Sequence, residues 1–505
     1  MASSLITKKR IAKAFRDLLA TREFDKISIV DIMESAGIRR QTFYNHFLDK
    51  YELLDWIFEN DLTEYITNNL DFISGQKLLQ ELFFYFEQER DFYIQLFDIQ
   101  GQNNFYDHFI SYCRLLVSKI LREYGQIDID SSAYTCFLLD YHSHALAEIV
   151  KAYVNKKKSS STTRLSNHDN YWKETTMTFI SNHKQKIISS YISATVSSHP
   201  ELEKHPTLPL VYQKKRNPHQ VPILAGGGSG HEPAHIGYVG EGMLTAAIYG
   251  QLFTPPTRTE ILESIRFLNN GHGVFIIVKN FETDIKEFSS AINTARQEGI
   301  KVGYSLAHDD ISIEPHNRFQ IRGRGLAGTI LLHKVLGYAA QNGADIEQLT
   351  DLGHELAPEI ATIGFATKAA SLPQAPLPLF NLEEGNISYG IGIHGEEGYR
   401  IVPFQSSEIL ANEIISKLRL HYHWKKGDQF ILLVNNLGTT SNLEMGIFIN
   451  DLLQLLEIEG VTITFIKSGT FMTSLDMAGI SVTLCPVKNK QWLEALNAPT
   501  TAFAW

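Results

Sequence analysis

The stretch ISIVDIMESAGIRRQTFYNHFLDKYELL, residues 27–54, reads as two short helices joined by a tight turn and stepping into a longer one. Ser28 is placed as an N-cap with Asp31 three residues on, and Ile29, Ile32 and Met33 form the apolar face of the first helix. Ala36-Gly37 closes it, because glycine can take the positive φ of an inter-helix turn. The next helix is expected over residues 39–47, with Phe43 and Phe47, four apart, facing inward and Arg39, Arg40, Gln41 and Tyr44 facing outward. Arg and Gln can bond purine edges bidentately in a major groove, while the Tyr44 hydroxyl and Lys50 can hold phosphates. Upstream, Ile11, Ala14, Phe15, Leu18 and Leu19 recur at helical spacing from Thr7 to before Phe24. A plain three-helix bundle with incidental arginines is the alternative.

Charge supports the nucleic-acid reading. Residues 1–50 carry +4, while the whole chain carries −10, leaving −14 for the remainder. At 505 residues, about three domains are expected. With 44% hydrophobic and 20% charged residues, the chain is too apolar for disorder and should fold throughout. No apolar run reaches membrane-spanning length and the N-terminus is basic and amphipathic, so no membrane partner and a cytoplasmic location are expected. Cys113, Cys136 and Cys485 form no CxxC pair, which points to neither disulfides nor a thiolate metal site.

The 27–54 stretch resembles the DNA-binding domain of TetR-family regulators, through the alanine-glycine turn, the Tyr44-x-x-Phe47 pair and the Phe47-x-x-Lys50 step. The resemblance implies operator contacts from Arg39, Arg40, Gln41, Thr42, Tyr44 and Lys50, over a domain of residues 1–62. It also implies a helical dimerisation domain, residues 63–182, and hence a homodimer on a palindrome. Aromatic residues at helical intervals fit such a bundle: Leu78, Leu82, Phe83, Phe86, then Phe92, Leu96, Phe97. His46 is expected to pack locally, and His142 and His144, two apart, point to different helix faces and make a poor metal pair. Residues 155–163 read as a polar loop, followed by a further helix over residues 171–180.

Near residue 183 glycine becomes frequent and β-rich runs alternate with helical ones, which implies α/β layers to residue 505. The expected strands lie at 221–224, 273–278, 302–304 and 430–434. After the first comes Gly226-Gly227-Gly228-Ser229-Gly230-His231-Glu232-Pro233, read as a turn whose N–H groups converge on a ligand, with His231 entering a helix. After the second comes Lys279-Asn280-Phe281-Glu282-Thr283-Asp284, a cation and a carboxylate at a strand end. Taken separately, these also suit a tight connection and a helix cap. Two GxGxxG matches, 323–328 and 390–395, lack the context of a dinucleotide site, and GGGSGH lacks the Lys-Ser/Thr ending of a P-loop.

Together with Tyr389-Gly390-Ile391-Gly392-Ile393-His394-Gly395-Glu396-Glu397-Gly398 and the segments 323–329, 435–440 and 468–474, these motifs resemble the K subunit of dihydroxyacetone kinases. The resemblance covers residues 183–505 and implies two α/β subdomains holding dihydroxyacetone. It implies that His394 adds to the ketone carbon as a hemiaminal, that His231 is an acid/base group, and that Asp284 accepts a hydroxyl proton in an active enzyme. Gly228, Ser229, Gly230 and Lys279 match ligand-contacting positions. The chain departs where the family has Asn-Tyr-x-Gly-Asp and it has Asn280-Phe281-Glu282-Thr283-Asp284, so Thr283 is expected to crowd Asp284; residues 250–256 differ as well. No metal site, nucleotide segment or L-type nucleotide domain is read in the chain. The expectation is a dihydroxyacetone-responsive transcription regulator, an activator by analogy, coupled through residues 180–200. The enzyme alternative is a K subunit working with a separate L subunit; a protein that titrates another protein is a third reading.

Overall fold

The computed structural model describes residues 5–90, 92–94, 105–125, 133–155, 180, 186–313, 323–372, 378–396 and 398–505. Helix α1 (Leu5–Leu19) buries Ile11, Phe15 and Leu19. Helix α2 (Ile29–Ser35) starts at a capping box: Ser28 Oγ accepts Asp31 N–H at 3.2 Å, and the Asp31 carboxylate accepts Ser28 N–H at 2.9 Å. Gly37 follows at φ +65°, and a Cβ there would touch nothing, so its backbone conformation alone calls for glycine. Helix α3 (Arg40–Phe43) is shorter than expected. The run ends at Tyr44 in a turn, and Asp49 starts the next helix: its backbone is extended and its carboxylate accepts Tyr51 N–H and Glu52 N–H at 2.9 Å, opening α4 (Lys50–Tyr65). Phe43 and Phe47 are buried as expected.

Helices α5 (Gly75–Gln88), α6 (Phe105–Gly125) and α7 (Ala133–Asn155) share a core with α1–α4 that includes Leu78, Leu82, Phe86, Phe92, Phe109, Cys113 and Val150. His142 and His144 are exposed. Leu96, Phe97, most of the polar loop and the helix expected over 171–180 lie outside the described residues, apart from Ile180.

This helical unit is not continuous in sequence. It comprises Met1–Asn170 together with Gln405–His423 and Asn450–Glu459, so two segments of the expected ligand-binding half belong to it. The helix Ser407–Tyr422 supplies its buried charge partners. Glu64, 4% exposed, receives Lys9 at 2.7 Å, Arg419 at 3.0 Å and the Asn412 amide at 3.0 Å. Arg419 also pairs with Glu459 at 3.1 Å. Lys417 is fully buried and bonds Glu413 at 3.0 Å, Asn68 O at 2.7 Å and Asn69 Oδ1 at 2.7 Å. Such charges persist only where every partner is present.

The second unit, Tyr171–Phe404 with Trp424–Ile449 and Gly460–Trp505, holds two six-stranded sheets. The first contains β1 (Leu202–Lys204), β2 (Leu210–Gln213), β3 (Ile223–Ser229), β4 (Ala246–Leu252), β5 (Val274–Lys279) and β6 (Val302–Ala307), in the order β1-β2-β4-β3-β5-β6. Its β4-β3-β5-β6 part is parallel. The chain moves from β3 to one neighbour, β4, and returns to the other, β5. This makes a switch point at the carboxyl ends of β3 and β5, the place where open α/β sheets bind ligands. The second sheet contains β7 (Ala361–Lys368), β8 (Asn386–Tyr389), β9 (Arg400–Pro403), β10 (Gln429–Asn436), β11 (Thr462–Gly469) and β12 (Ala478–Pro486), in the order β11-β10-β12-β7-β8-β9.

The glycine run corrects the sequence reading. Gly226, Gly227 and Gly228 lie inside β3 rather than in a turn after it, with Gly226 paired to Ile248 and Gly227 to Tyr249. A Cβ on Gly226 would overlap Ile248 O, and one on Gly228 would stand 2.6 Å from Thr254 N, so these glycines permit close strand approach. Past His231 the chain makes turns and the 3₁₀ segment Ile236–Tyr238, not the expected helix.

The Glu64 cluster predicts a stability profile. Burial opposes its charge, but Lys9 and Arg419 outweigh that and hold its carboxyl down at about 2, against 4.5 ordinarily. With the folded value below the unfolded one, its contribution is complete above pH 4.5 and is lost as pH falls toward about 2. Urea unfolding of Arg419→Met at pH 7 should show a loss of about 3 kcal/mol or more, as for a buried pair stripped of one partner. Glu64→Gln should flatten the acid dependence in that window.

Candidate functional site

Residues 39–44 form an exposed surface. Arg39 is the N-cap residue of α3, and Arg39, Arg40, Gln41 and Tyr44 are exposed while Thr42 is half-buried. Arg40 donates to the Tyr44 hydroxyl at 3.4 Å, which sets the two side chains one turn apart on the same face. Lys50 departs from expectation. Its ammonium donates to Phe24 O at 2.9 Å and Ile27 O at 3.2 Å and lies 4.3 Å from the Phe24 ring centroid, so it closes the end of the short helix Phe24–Lys26 rather than reaching outward to phosphate.

At the sheet switch point the structure brings together His231, Lys279, Asp284 and His394. Lys279 ends β5, and Asp284 lies in the first turn of the helix Glu282–Gln297. A Cβ on Gly227, at φ +154°, would stand 2.9 Å from Lys279 Cε and 3.0 Å from Asp284 Oδ1, so ammonium and carboxylate converge over bare backbone. His231 is fully buried, its Nδ1 2.8 Å from Thr473 O. A carbonyl can only accept, so the proton sits on Nδ1 and Nε2 keeps its lone pair. The His231 and His394 rings stand 4.8 Å apart at 62°. Phe253 stacks on His231 at 5.1 Å, and Phe281 meets the His394 ring edge-on at 4.3 Å. Phe253 has φ +51°, a strained backbone for a bulky residue of the kind found at ligand sites.

Burial, aided by the Lys279 charge, pushes His231 well below the usual histidine range, keeping it neutral. Burial likewise lowers Lys279 and raises Asp284, with each partner's charge opposing the change. Lys279 Nζ, Asp284 Oδ1 and His231 Nε2 are buried without a hydrogen-bond partner among the described residues. Three unpartnered polar groups thus lie in the neighbourhood of His394, with the perturbed ionisation found at ligand sites.

Two expected contacts are already engaged within the protein. The Ser229 hydroxyl donates to Gly250 O at 2.7 Å, and Gly230 N–H donates to Glu232 at 3.1 Å. Gly228 lies against the backbone of Phe253 and Thr254. Thr283 does not crowd Asp284: its side chain is exposed while Asp284 is buried, because consecutive residues of a helix point about 100° apart. Phe253, Thr473 and Glu396 are not singled out as site residues by the sequence, although they lie in the segments 250–256, 468–474 and 389–398 noted above. Among the described residues no group of three or more His, Cys, Asp or Glu could hold a metal ion, and no helix is long and apolar enough to cross a membrane.

Three family models match the chain: bacterial regulatory proteins of the tetR family over residues 11–57, the transcriptional regulator C-terminal region over 75–168, and the Dak1 domain over 193–504. The chain is 50% identical over 310 residues to the DhaKLM operon coactivator DhaQ of Lactococcus lactis, covering 61% of this chain and 94% of that protein. It is 40% identical over 328 residues to the dihydroxyacetone-binding subunit DhaK of the PTS-dependent kinase of the same organism, covering 65% and 98%. A solved structure of the dihydroxyacetone kinase operon co-activator Dha-DhaQ superposes with a TM-score of 0.60 at 48% identity, covering 63% of this chain and 97% of that one. The native dihydroxyacetone kinase of C. freundii superposes with a TM-score of 0.60 at 31% identity, covering 65% and 60%. The chain belongs to the Dak1-domain family and carries, ahead of that domain, the N- and C-terminal regions of a TetR-family regulator.

Proposed function

We propose that this protein is a dihydroxyacetone-responsive transcriptional activator of an operon for dihydroxyacetone or glycerol use. The observation that carries the reading is the presence in one chain of an exposed Arg39–Arg40–Gln41–Tyr44 surface and a converging His231–Lys279–Asp284–His394 constellation. The similarity to a dihydroxyacetone operon coactivator supports the direction of control. In this reading Arg40 and Gln41 read base edges, Arg39, Thr42 and Tyr44 position the helix on the backbone, and His394 holds the ketone as a hemiaminal beside His231 and Asp284. No resident metal or nucleotide takes part in it.

Two copies form the DNA-binding species. On α7, Phe137, Tyr141 and Ile149 are more than half exposed along one helical face, which suits an interface of the helical bundle. The coupling expected through residues 180–200 falls partly outside the described residues, and the helix Ser407–Tyr422 offers a second route. It follows His394 by thirteen residues in the chain, and its Arg419 and Asn412 hold Glu64 of α4. The enzyme alternative, a K subunit serving a separate L subunit, draws support from the convergent pocket and from the likeness to DhaK.

Gel shifts on the chain's own upstream DNA should reveal a palindromic site bound more weakly as salt rises, and Arg40→Ala should relax specificity by about 1–3 kcal/mol at one base pair per half-site. Unchanged specificity in every substitution at positions 39, 40, 41 and 44 would overturn the assignment. The double variant Phe137→Glu and Tyr141→Glu should be monomeric by light scattering and lose the palindrome. Dihydroxyacetone should change the DNA affinity of the parent but not of His394→Ala, because a ligand shifts an equilibrium only by its differential affinity for two states. Robust formation of dihydroxyacetone phosphate with a supplied L subunit and phosphoryl donor, together with DNA affinity indifferent to the ketone, would favour the enzyme.

A further inference from the structure

An imidazole that forms a bond through one ring nitrogen depends on what the other nitrogen faces, since the proton of the neutral ring can sit on only one of them. For His231 the partner is a backbone carbonyl. For His394 it is Glu396. The Glu396 carboxylate accepts the backbone N–H of His394 at 2.9 Å through Oε2, which fixes it beside the ring, and its Oε1 stands 3.5 Å from Nδ1 of the imidazole. Arg324 braces that carboxylate from the far side, Nη1 3.7 Å from Oε2. Arg324 is itself 7% exposed and tied down: Nε donates to Asp310 Oδ2 at 2.5 Å, and Nη2 donates to Gly390 O and Ser312 Oγ at 3.1 Å. A Cβ on Gly392 would overlap both the Glu396 carboxylate and the Arg324 guanidinium, so glycine keeps the two in reach of each other. Burial opposes the charge on Glu396, but His394 and Arg324 outweigh it and hold the carboxyl at about 2, so it is ionised at neutral pH.

Taking dihydroxyacetone as the ligand, as proposed above, we infer that Glu396, seated by Arg324 and Asp310, is a positioning residue that keeps a proton on Nδ1 of His394 and leaves the Nε2 lone pair to add to the ketone. The Nε2 lone pair forms the nitrogen–carbon bond. The carbonyl π pair moves to oxygen, which takes one proton from solvent, and the ring becomes an imidazolium that retains its Nδ1 proton. The adduct thereby gains one positive charge, placed against the Glu396 carboxylate, and reversal returns the proton, the ketone and the neutral ring. In this proposal Glu396 acts through the ring.

The test has two readouts on the full chain. In the ligand-free protein, ¹⁵N spectra of histidine-labelled material, assigned by difference from His394→Gln, should show His394 protonated on Nδ1; a proton on Nε2 overturns the inference without any variant at Glu396. With [2-¹³C]dihydroxyacetone, the parent should show a tetrahedral adduct carbon. Glu396→Gln, which keeps the shape but not the charge, should move the ring toward mixed tautomers and weaken adduct formation roughly tenfold or more, as expected for loss of a charge-assisted contact. Glu396→Asp should recover part of it. A parental tautomer and adduct yield in Glu396→Gln would overturn the inference. If the parent forms no adduct at all, the ligand reading fails, while the tautomer of His394, measured without ligand, still decides the role of Glu396.

Discussion

A strand that ends in consecutive glycines can lie against its neighbours with no side chain between them, and the ligand constellation depends on that contact. Gly226 meets Ile248, Gly228 meets Thr254, and over Gly227 the end of Lys279 and the carboxylate of Asp284 come together. A methyl group at any of the three would displace backbone or push against Lys279 and Asp284. Because β3 sits between β4 and β5, the same bare strand end delivers His231 beside the tip of β5. Chain order alone would not place them together.

Two clusters of buried charge differ in a way that separates architecture from chemistry. Glu64 and Lys417 are surrounded by protein partners at hydrogen-bonding distance, and each removal leaves a charge stranded in the interior. At the switch point Lys279 Nζ, Asp284 Oδ1 and His231 Nε2 reach no such partner among the described residues. The satisfied cluster holds helices together. The unsatisfied one carries the perturbed ionisation typical of a ligand site.

The N-terminal region is legible in the sequence because its determinants are local: Ser28 and Asp31 are three residues apart, Phe43 and Phe47 four. The alternation of helix and strand beyond residue 183 is legible for the same reason. The destination of Lys50 is not, because the carbonyls of Phe24 and Ile27 come within reach only after the chain has turned through Phe24–Lys26. The glycine run misleads because glycine ordinarily interrupts strands; its pairing with β4 is a property of the neighbouring strand. Thr283 misleads by adjacency, since neighbours in a helix do not share a face. Thr473 reaches His231 across 242 residues, and Arg419 reaches Glu64 across 355, so neither pairing can be read from local spacing.

The composition of the helical unit bears on how far this protein is modular. Its linear description is a regulator followed by a ligand-binding domain, and a cut near residue 183 looks natural on that map. The folded unit ignores the cut: the helix that neutralises Glu64 and fills the space beside Asn69 is encoded more than two hundred residues later. Excising the first 182 residues would therefore produce an incomplete body in which Glu64 keeps Lys9 but loses Arg419 and Asn412. A helix encoded within the ligand-binding stretch is thus part of the regulator's anatomy, and the two stretches can vary only together where they share it.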